Sequence, residues 1–108
     1  VDSASRVSLK NLSSGTVTHM SPQQMNGELP QVTDDIYSLG ATLYELLSGN
    51  PPFYSGDIVQ HVREKEATPL EERQAELGVE NPVPSEVSGM IMACLFKEAK
   101  HRPQSASD

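Results

Sequence analysis

Residues 33–49, TDDIYSLGATLYELLSG, constrain what this chain can fold into more than any other stretch. At helical spacing Ile36, Leu39, Leu43, Leu46 and Leu47 fall on one broad face, and Tyr37, Ala41 and Tyr44 carry it round a second side. Only Ser38, Thr42 and Glu45 remain as a narrow polar stripe. A surface helix needs one oily face, so a helix that is apolar over most of its circumference reads as a buried central helix. Thr33 is placed to cap the first amides, Asp34 and Asp35 bring negative charge to the positive end of the dipole, and Gly49 offers a left-handed stop ahead of Pro51 and Pro52. Gly40 costs roughly 1 kcal/mol against alanine in mid-helix, which assigns it to close packing rather than to helix formation.

Shorter helices are expected round this rod. In residues 15–27, Ser21 is a good cap, Pro22 suits the first helical position, Gln24 completes a capping box and Gly27 ends the turn. A more highly charged surface helix is expected over 56–65, opened by Ser55 or Gly56, with Ile58, Val59 and Val62 facing inward. Thr68 and Glu71 suggest a second capping box, hence a surface helix over 69–77 stopped by Gly78. Pro82 and Pro84 enforce an extended link. Ser85 then caps an amphipathic helix over 85–96, whose inward residues are Val87, Met90, Ile91, Cys94 and Leu95. Residues 97–103 form a charged connector, and a further helix is expected to begin at Gln104. Residues 1–14 hold Ser3, Ser5, Ser8, Ser13 and Ser14 without sustained periodicity and read as a loop. The fold class is mainly α, a buried central helix surrounded by shorter ones, and nothing demands a sheet.

Composition narrows the functional classes. The 108 residues amount to one domain or a piece of one. A formal net charge of -7 opposes binding to a phosphate backbone, so nucleic acid is not an expected partner. No apolar run reaches membrane-spanning length and no N-terminal signal pattern is present, so this segment is expected to make no membrane contact and to work in the cytoplasm. The single cysteine, Cys94, lies on an apolar helix face and reads as core.

The parts also come in a telling order: Gly15-Thr16, then Ser21-Pro22-Gln23, then Asp35-Ile36-Tyr37-Ser38-Leu39-Gly40, then Pro51-Pro52-Phe53, an amphipathic helix, and Arg102-Pro103. In this order the chain resembles the second half of the C-terminal lobe of serine/threonine protein kinases, especially bacterial ones. The resemblance implies that residues 1–14 belong to an activation loop. It implies that Gly15 and Thr16 lie in the loop receiving the substrate residue beside the phosphoacceptor. It matches Ser21, Pro22 and Gln23 to the Ala-Pro-Glu signature, Asp35 to the aspartate that holds the catalytic loop, and Arg102 to the arginine that pairs with the signature glutamate. Gln23 departs from that glutamate. A glutamine can still hydrogen-bond Arg102, but a buried guanidinium then wants another carboxylate, and Glu98 is the nearest in sequence. His19 replaces a more usual tyrosine and reads as a partly exposed loop residue, with a pH sensor as the alternative.

Absent motifs restrict the chemistry. There is no Gly-x-Gly-x-x-Gly and no Asp-Phe-Gly, and His101-Arg102-Pro103 lacks the aspartate of a catalytic loop. By resemblance, then, the chain is expected to be a fragment with no catalytic residue, no metal ligand and no bound cofactor of its own. ATP and Mg would bind elsewhere in the intact kinase, and the partners would be protein substrates and the remainder of the kinase domain. Ser8, Ser13, Ser14 and Thr16 are candidate phosphorylation sites, because a phosphate there could order the loop against an arginine. The rival reading is a noncatalytic helical interaction module of the pseudokinase kind, with 56–65 and the acidic segment after it as the contact face.

Overall fold

Capping chemistry and glycine stops set several of the element boundaries. The computed structural model describes residues 16–104. A short 3-10 turn, Thr16–His19, leads into α1 (Pro22–Met25), α2 (Val32–Ser48), α3 (Ile58–Glu64), α4 (Leu70–Leu77) and α5 (Ser85–Cys94), and a second 3-10 turn spans Ala99–His101. Among the described residues there is no strand. Of the helix expected from Gln104, residues 105–108 lie outside the described residues.

The central helix starts two residues earlier than a Thr33 cap would place it. Gln31, not Thr33, is the cap, because the Asp34 carboxylate folds back to accept the Gln31 amide at 2.8 Å. Thr33 is instead buried inside the first turn. At the far end Gly49 takes a left-handed conformation (φ 98°), and its amide donates to Glu45 at 2.8 Å. No side chain but glycine adopts that backbone at so little cost.

The buried face of α2 is not the leucine stripe. Ile36, Tyr37, Gly40, Ala41, Tyr44 and Ser48 point into the protein, whereas Leu39 is 43% and Leu46 72% exposed. Small residues decide this. A Cβ on Gly40 would stand 2.5 Å from the Cβ of Cys94 and 3.4 Å from the Ile91 carbonyl, so α5 crosses α2 at the one position without a side chain. With that contact made, Val32, Leu39 and Leu46 are left at seven-residue spacing as an uncovered apolar flank, while Leu43 and Leu47 pack against the edge of the core.

The same crossing turns α5. Val87 and Met90, expected inside, are 38% and 44% exposed, and Ser88 is buried with Ile91, Cys94 and Leu95. Ser85 is the first helical residue rather than the cap, which is Pro84, and the helix ends at Cys94. Helix α4 differs in a comparable way: Pro69 is its cap, and no Thr68–Glu71 capping box forms. The Thr68 hydroxyl accepts from Arg73 at 3.1 Å, and the Thr68 carbonyl accepts from the Tyr44 phenol at 2.7 Å. The Ser88 hydroxyl, aided by Glu71's own backbone amide, holds the Glu71 carboxyl below the usual carboxylate range.

Helix α3 is capped by Asp57, which accepts the Gln60 amide at 3.1 Å, so the expected start at 56 shifts inward. Val62 is fully buried but Val59 is 39% exposed. Helix α2 packs on α4, α5 and both 3-10 turns, and α3 rests on α1 and the first 3-10 turn. The core joins Tyr37, Ala41 and Tyr44 to Phe53, Val62, Leu70, Ile91 and Leu95. Burial drives this arrangement at about 25 cal/mol per Å² of apolar surface removed from water.

Candidate functional site

The densest polar constellation lies where the Ser-Pro-Gln segment meets the start of α2 and the chain's last turn. Its first part is local. The Ser21 hydroxyl accepts the Gln24 amide at 3.1 Å, and the Ser21 amide donates to Gln24 Oε1 at 2.9 Å, a complete capping box with Pro22 next in line. The same Ser21 hydroxyl donates to Asp34 Oδ1 at 2.6 Å. One buried hydroxyl therefore both caps α1 and ties it to α2.

Gln23 carries the second part. Its Nε2 donates to the Lys97 carbonyl at 2.8 Å and its Oε1 accepts from Arg102 at 2.6 Å, across 79 residues of sequence. The amide orientation follows from the partners, since a guanidinium only donates and a carbonyl only accepts. Arg102 is 2% exposed. Beyond Gln23 it donates from Nε to Phe96 O at 2.6 Å and through its two terminal nitrogens to Thr33 O at 3.0 Å and Lys97 O at 3.1 Å, and its Cζ lies 5.2 Å from the centre of the Tyr37 ring.

All these acceptors are neutral, so the countercharge must come through space. Burial pulls the Arg102 pKa down, and Asp34 opposes that most strongly, ahead of Tyr37 and Cys94. Glu98, the carboxylate expected from proximity in sequence, is exposed. Asp34 takes the role because it sits on the inward side of the first turn of α2, 2% exposed, whereas its neighbour Asp35 faces outward.

A separate network fixes the preceding turn. His19 Nε2 lies 2.8 Å from Glu45 Oε1 and Nδ1 lies 2.9 Å from the Thr18 hydroxyl. Glu45 can only accept when ionised, so Nε2 carries the proton, and Nδ1 of a neutral ring accepts from Thr18. The His19 carbonyl accepts from Ser38 at 2.7 Å. His19 is partly exposed, as expected, but it closes the 3-10 turn and is pinned to the central helix through Ser38 and Glu45 of its polar stripe.

Lys97 is the last member of the cluster and was not singled out by its sequence context. Its ammonium donates to Val62 O at 2.6 Å and reaches His61 O at 3.4 Å, and it lies 4.9 Å from the centre of the Phe53 ring. Burial lowers its pKa, more than Glu66 restores it.

The structure thus brings together Ser21, Pro22, Gln23 and Arg102, and sets Gly40 apart at the α2–α5 crossing. Asp35 is outside the cluster and exposed. Thr16 opens the first 3-10 turn, whereas Ser8, Ser13, Ser14 and Gly15 lie outside the described residues. Among the described residues no three of His, Cys, Asp and Glu gather as a metal site. The sequence holds no Gly-x-Gly-x-x-Gly loop and no Asp-Phe-Gly. What the arrangement does chemically is hold backbone in place.

Comparison with known proteins identifies the family. The protein kinase domain pattern matches residues 2–107. The chain is 37% identical over 98 residues to serine/threonine-protein kinase PknB of Mycolicibacterium smegmatis, an alignment covering 87% of this chain and 15% of that protein. It is 36% identical over 98 residues to the probable serine/threonine-protein kinase SCO3848 of Streptomyces coelicolor, covering 87% of this chain and 14% of that one. Against the DNA damage-responsive serine/threonine-protein kinase RqkA of Deinococcus radiodurans the identity is 34% over 97 residues, with 86% and 14% covered. The chain therefore spans only 14% to 15% of the length of these curated relatives. An all-helical arrangement, the bonded Ser-Pro-Gln and arginine elements and a match over almost every residue lead to one conclusion: this chain belongs to the protein kinase domain family.

Proposed function

We propose that the chain works within a serine/threonine protein kinase that transfers the γ-phosphate of ATP to serine or threonine hydroxyls of proteins, supplying the substrate-side loop and the helical core of the C-terminal lobe. The observation that carries this reading is the bond between Gln23, in the segment matched to Ala-Pro-Glu, and Arg102 near the other end of the chain. That bond makes the end of the activation segment part of the rigid body, which is what presenting a substrate loop requires. Gly15 and Thr16, just ahead of it, receive the substrate residue. Ser8, Ser13, Ser14 and Thr16 are the sites where phosphate would regulate the loop.

ATP and Mg bind in the intact kinase, to residues other than those of this chain. The partners are protein substrates and the rest of the kinase domain, for which Val32, Leu39 and Leu46 offer an apolar face. No helix among the described residues is long and apolar enough to cross a membrane. We place the segment in the cytoplasm, without membrane or nucleic-acid contact.

The test is phosphate transfer from radiolabelled ATP with Mg to a protein substrate, run on the intact protein and on the isolated chain. Transfer by the intact protein and none by the chain is expected. An intact protein that transfers nothing overturns the reading in favour of a noncatalytic helical interaction module, and magnesium-dependent transfer by the chain alone overturns the division of labour.

A further inference from the structure

Helix α3 ends differently from its neighbours. Helices α2 and α4 stop on left-handed glycines, Gly49 (φ 98°) and Gly78 (φ 69°), whose amides return to the helix carbonyls. Helix α3 stops on Lys65 with extended backbone (φ -102°, ψ 135°), and the Lys65 amide satisfies only His61 O. The carbonyl of Val62, whose side chain is fully buried, is left for another donor. That donor is the Lys97 ammonium, at 2.6 Å, placed at the negative end of the helix and beside the Phe53 ring.

The other end of Lys97 is held as firmly. Its carbonyl accepts from Gln23 Nε2 at 2.8 Å and from Arg102 at 3.1 Å. One residue thus fastens the C-terminus of α3 with its side chain and the Ser-Pro-Gln junction with its backbone. Helix α3 has only seven residues and one buried side chain of its own, yet it packs against both α1 and the Thr16–His19 turn. A helix so short does not hold its place by propensity.

We propose that Lys97 is a positioning residue for the substrate side of the domain, setting α3 against the Thr16–His19 turn and thereby the surface a protein substrate meets. The proposal rests on the kinase reading above for what the turn receives. Its structural half, the fastening of α3, does not. No contact with ATP is involved, so the effect of losing the ammonium falls on the protein substrate.

The experiment uses the intact protein, with Lys97→Met and Lys97→Arg, and myelin basic protein as substrate. Steady-state kinetics are measured for both substrates, and amide hydrogen exchange is followed along α3. Lys97→Met is expected to raise KM for the protein substrate about tenfold with KM for ATP unchanged. Exchange across Ile58–Glu64 is expected to rise while that of α2 stays as it was. Lys97→Arg, which can still donate to the two carbonyls, is expected to restore both. Unchanged protein-substrate KM and unchanged α3 exchange in Lys97→Met would overturn the proposal. So would a uniform loss of kcat and of exchange protection throughout the domain that arginine fails to restore. Should the wild-type protein transfer no phosphate, the kinase reading falls by itself, and the exchange measurement alone decides whether Lys97 fastens α3.

Discussion

Replacing Ser21 by alanine separates a helix cap from an interhelical tie, because one hydroxyl does both. Capping alone, the bond from the Gln24 amide at 3.1 Å, is worth about 1 kcal/mol when a serine cap becomes alanine. The second bond, to Asp34 Oδ1 at 2.6 Å, is charge-assisted, and Asp34 is 2% exposed, so no water takes the place of the lost donor. Leaving that carboxylate oxygen unsatisfied adds roughly 2 kcal/mol, for a total of about 3 kcal/mol. The Ser21 amide keeps its bond to Gln24 Oε1, and Asp34 keeps the Gln31 amide, so the loss is confined to the hydroxyl. The assay is urea unfolding, followed by far-UV circular dichroism, of a domain carrying this chain. It compares wild type, Ser21→Ala, Asp34→Ala and the double variant. A coupling energy above about 1 kcal/mol between the two sites is expected, with the urea slope unchanged. Additive effects, together with a Ser21→Ala loss of only about 1 kcal/mol, would show that Ser21 is merely a cap and would refute the tie.

Other perturbations follow from the same geometry. Arg102→Met strands the Thr33 and Phe96 carbonyls and Gln23 Oε1, and is expected to cost roughly 3 to 5 kcal/mol in the same denaturation assay. Glu98→Lys, at an exposed carboxylate, should leave the midpoint where it is to within about 0.5 kcal/mol. Gly40→Ala is expected to lower Tm, because the new Cβ would meet Cys94 Cβ at 2.5 Å; overpacking of about 1 to 3 kcal/mol exceeds the helix-propensity gain of about 1 kcal/mol. Adding Cys94→Ala should not restore Tm, since the atom in the way is the Cβ and not the sulfur. Burial raises the Tyr37 and Tyr44 phenols to about 12 from 10.0. The folded state then keeps both protons where the unfolded chain releases them, so their stabilisation is whole below pH 10 and drains away between pH 10 and 12. Two pH units at about 1.4 kcal/mol each make the loss roughly 3 kcal/mol per tyrosine. A Tyr37→Phe variant should lose about half of this alkaline sensitivity in a pH series of unfolding midpoints, and an unchanged slope would count against burial as the cause.

Residue type and spacing alone place Tyr37, Ala41 and Tyr44 in a buried helix, pair Ser21 with Gln24 in a capping box and end two helices at Gly49 and Gly78. Each follows from contacts within a few residues, which side-chain type and spacing dictate. Pairing Gln23 with Arg102 was also legible, but only through the order of the kinase-like elements, because nothing local links residues 79 apart. Tertiary structure decided the rest. Which face of α2 this segment itself covers was set when α5 came to lie on Gly40, which leaves Leu39 and Leu46 outside. That same docking put Ser88 inside in place of Met90. Asp34, not Glu98, most offsets the burial of Arg102, and the Thr68 hydroxyl accepts from the Arg73 side chain of α4 instead of capping that helix. Hydrophobic periodicity reports how much of a helix must be covered, but which side meets which neighbour, and which charge answers a buried cation, depends on the close approach of backbones that are far apart in the chain.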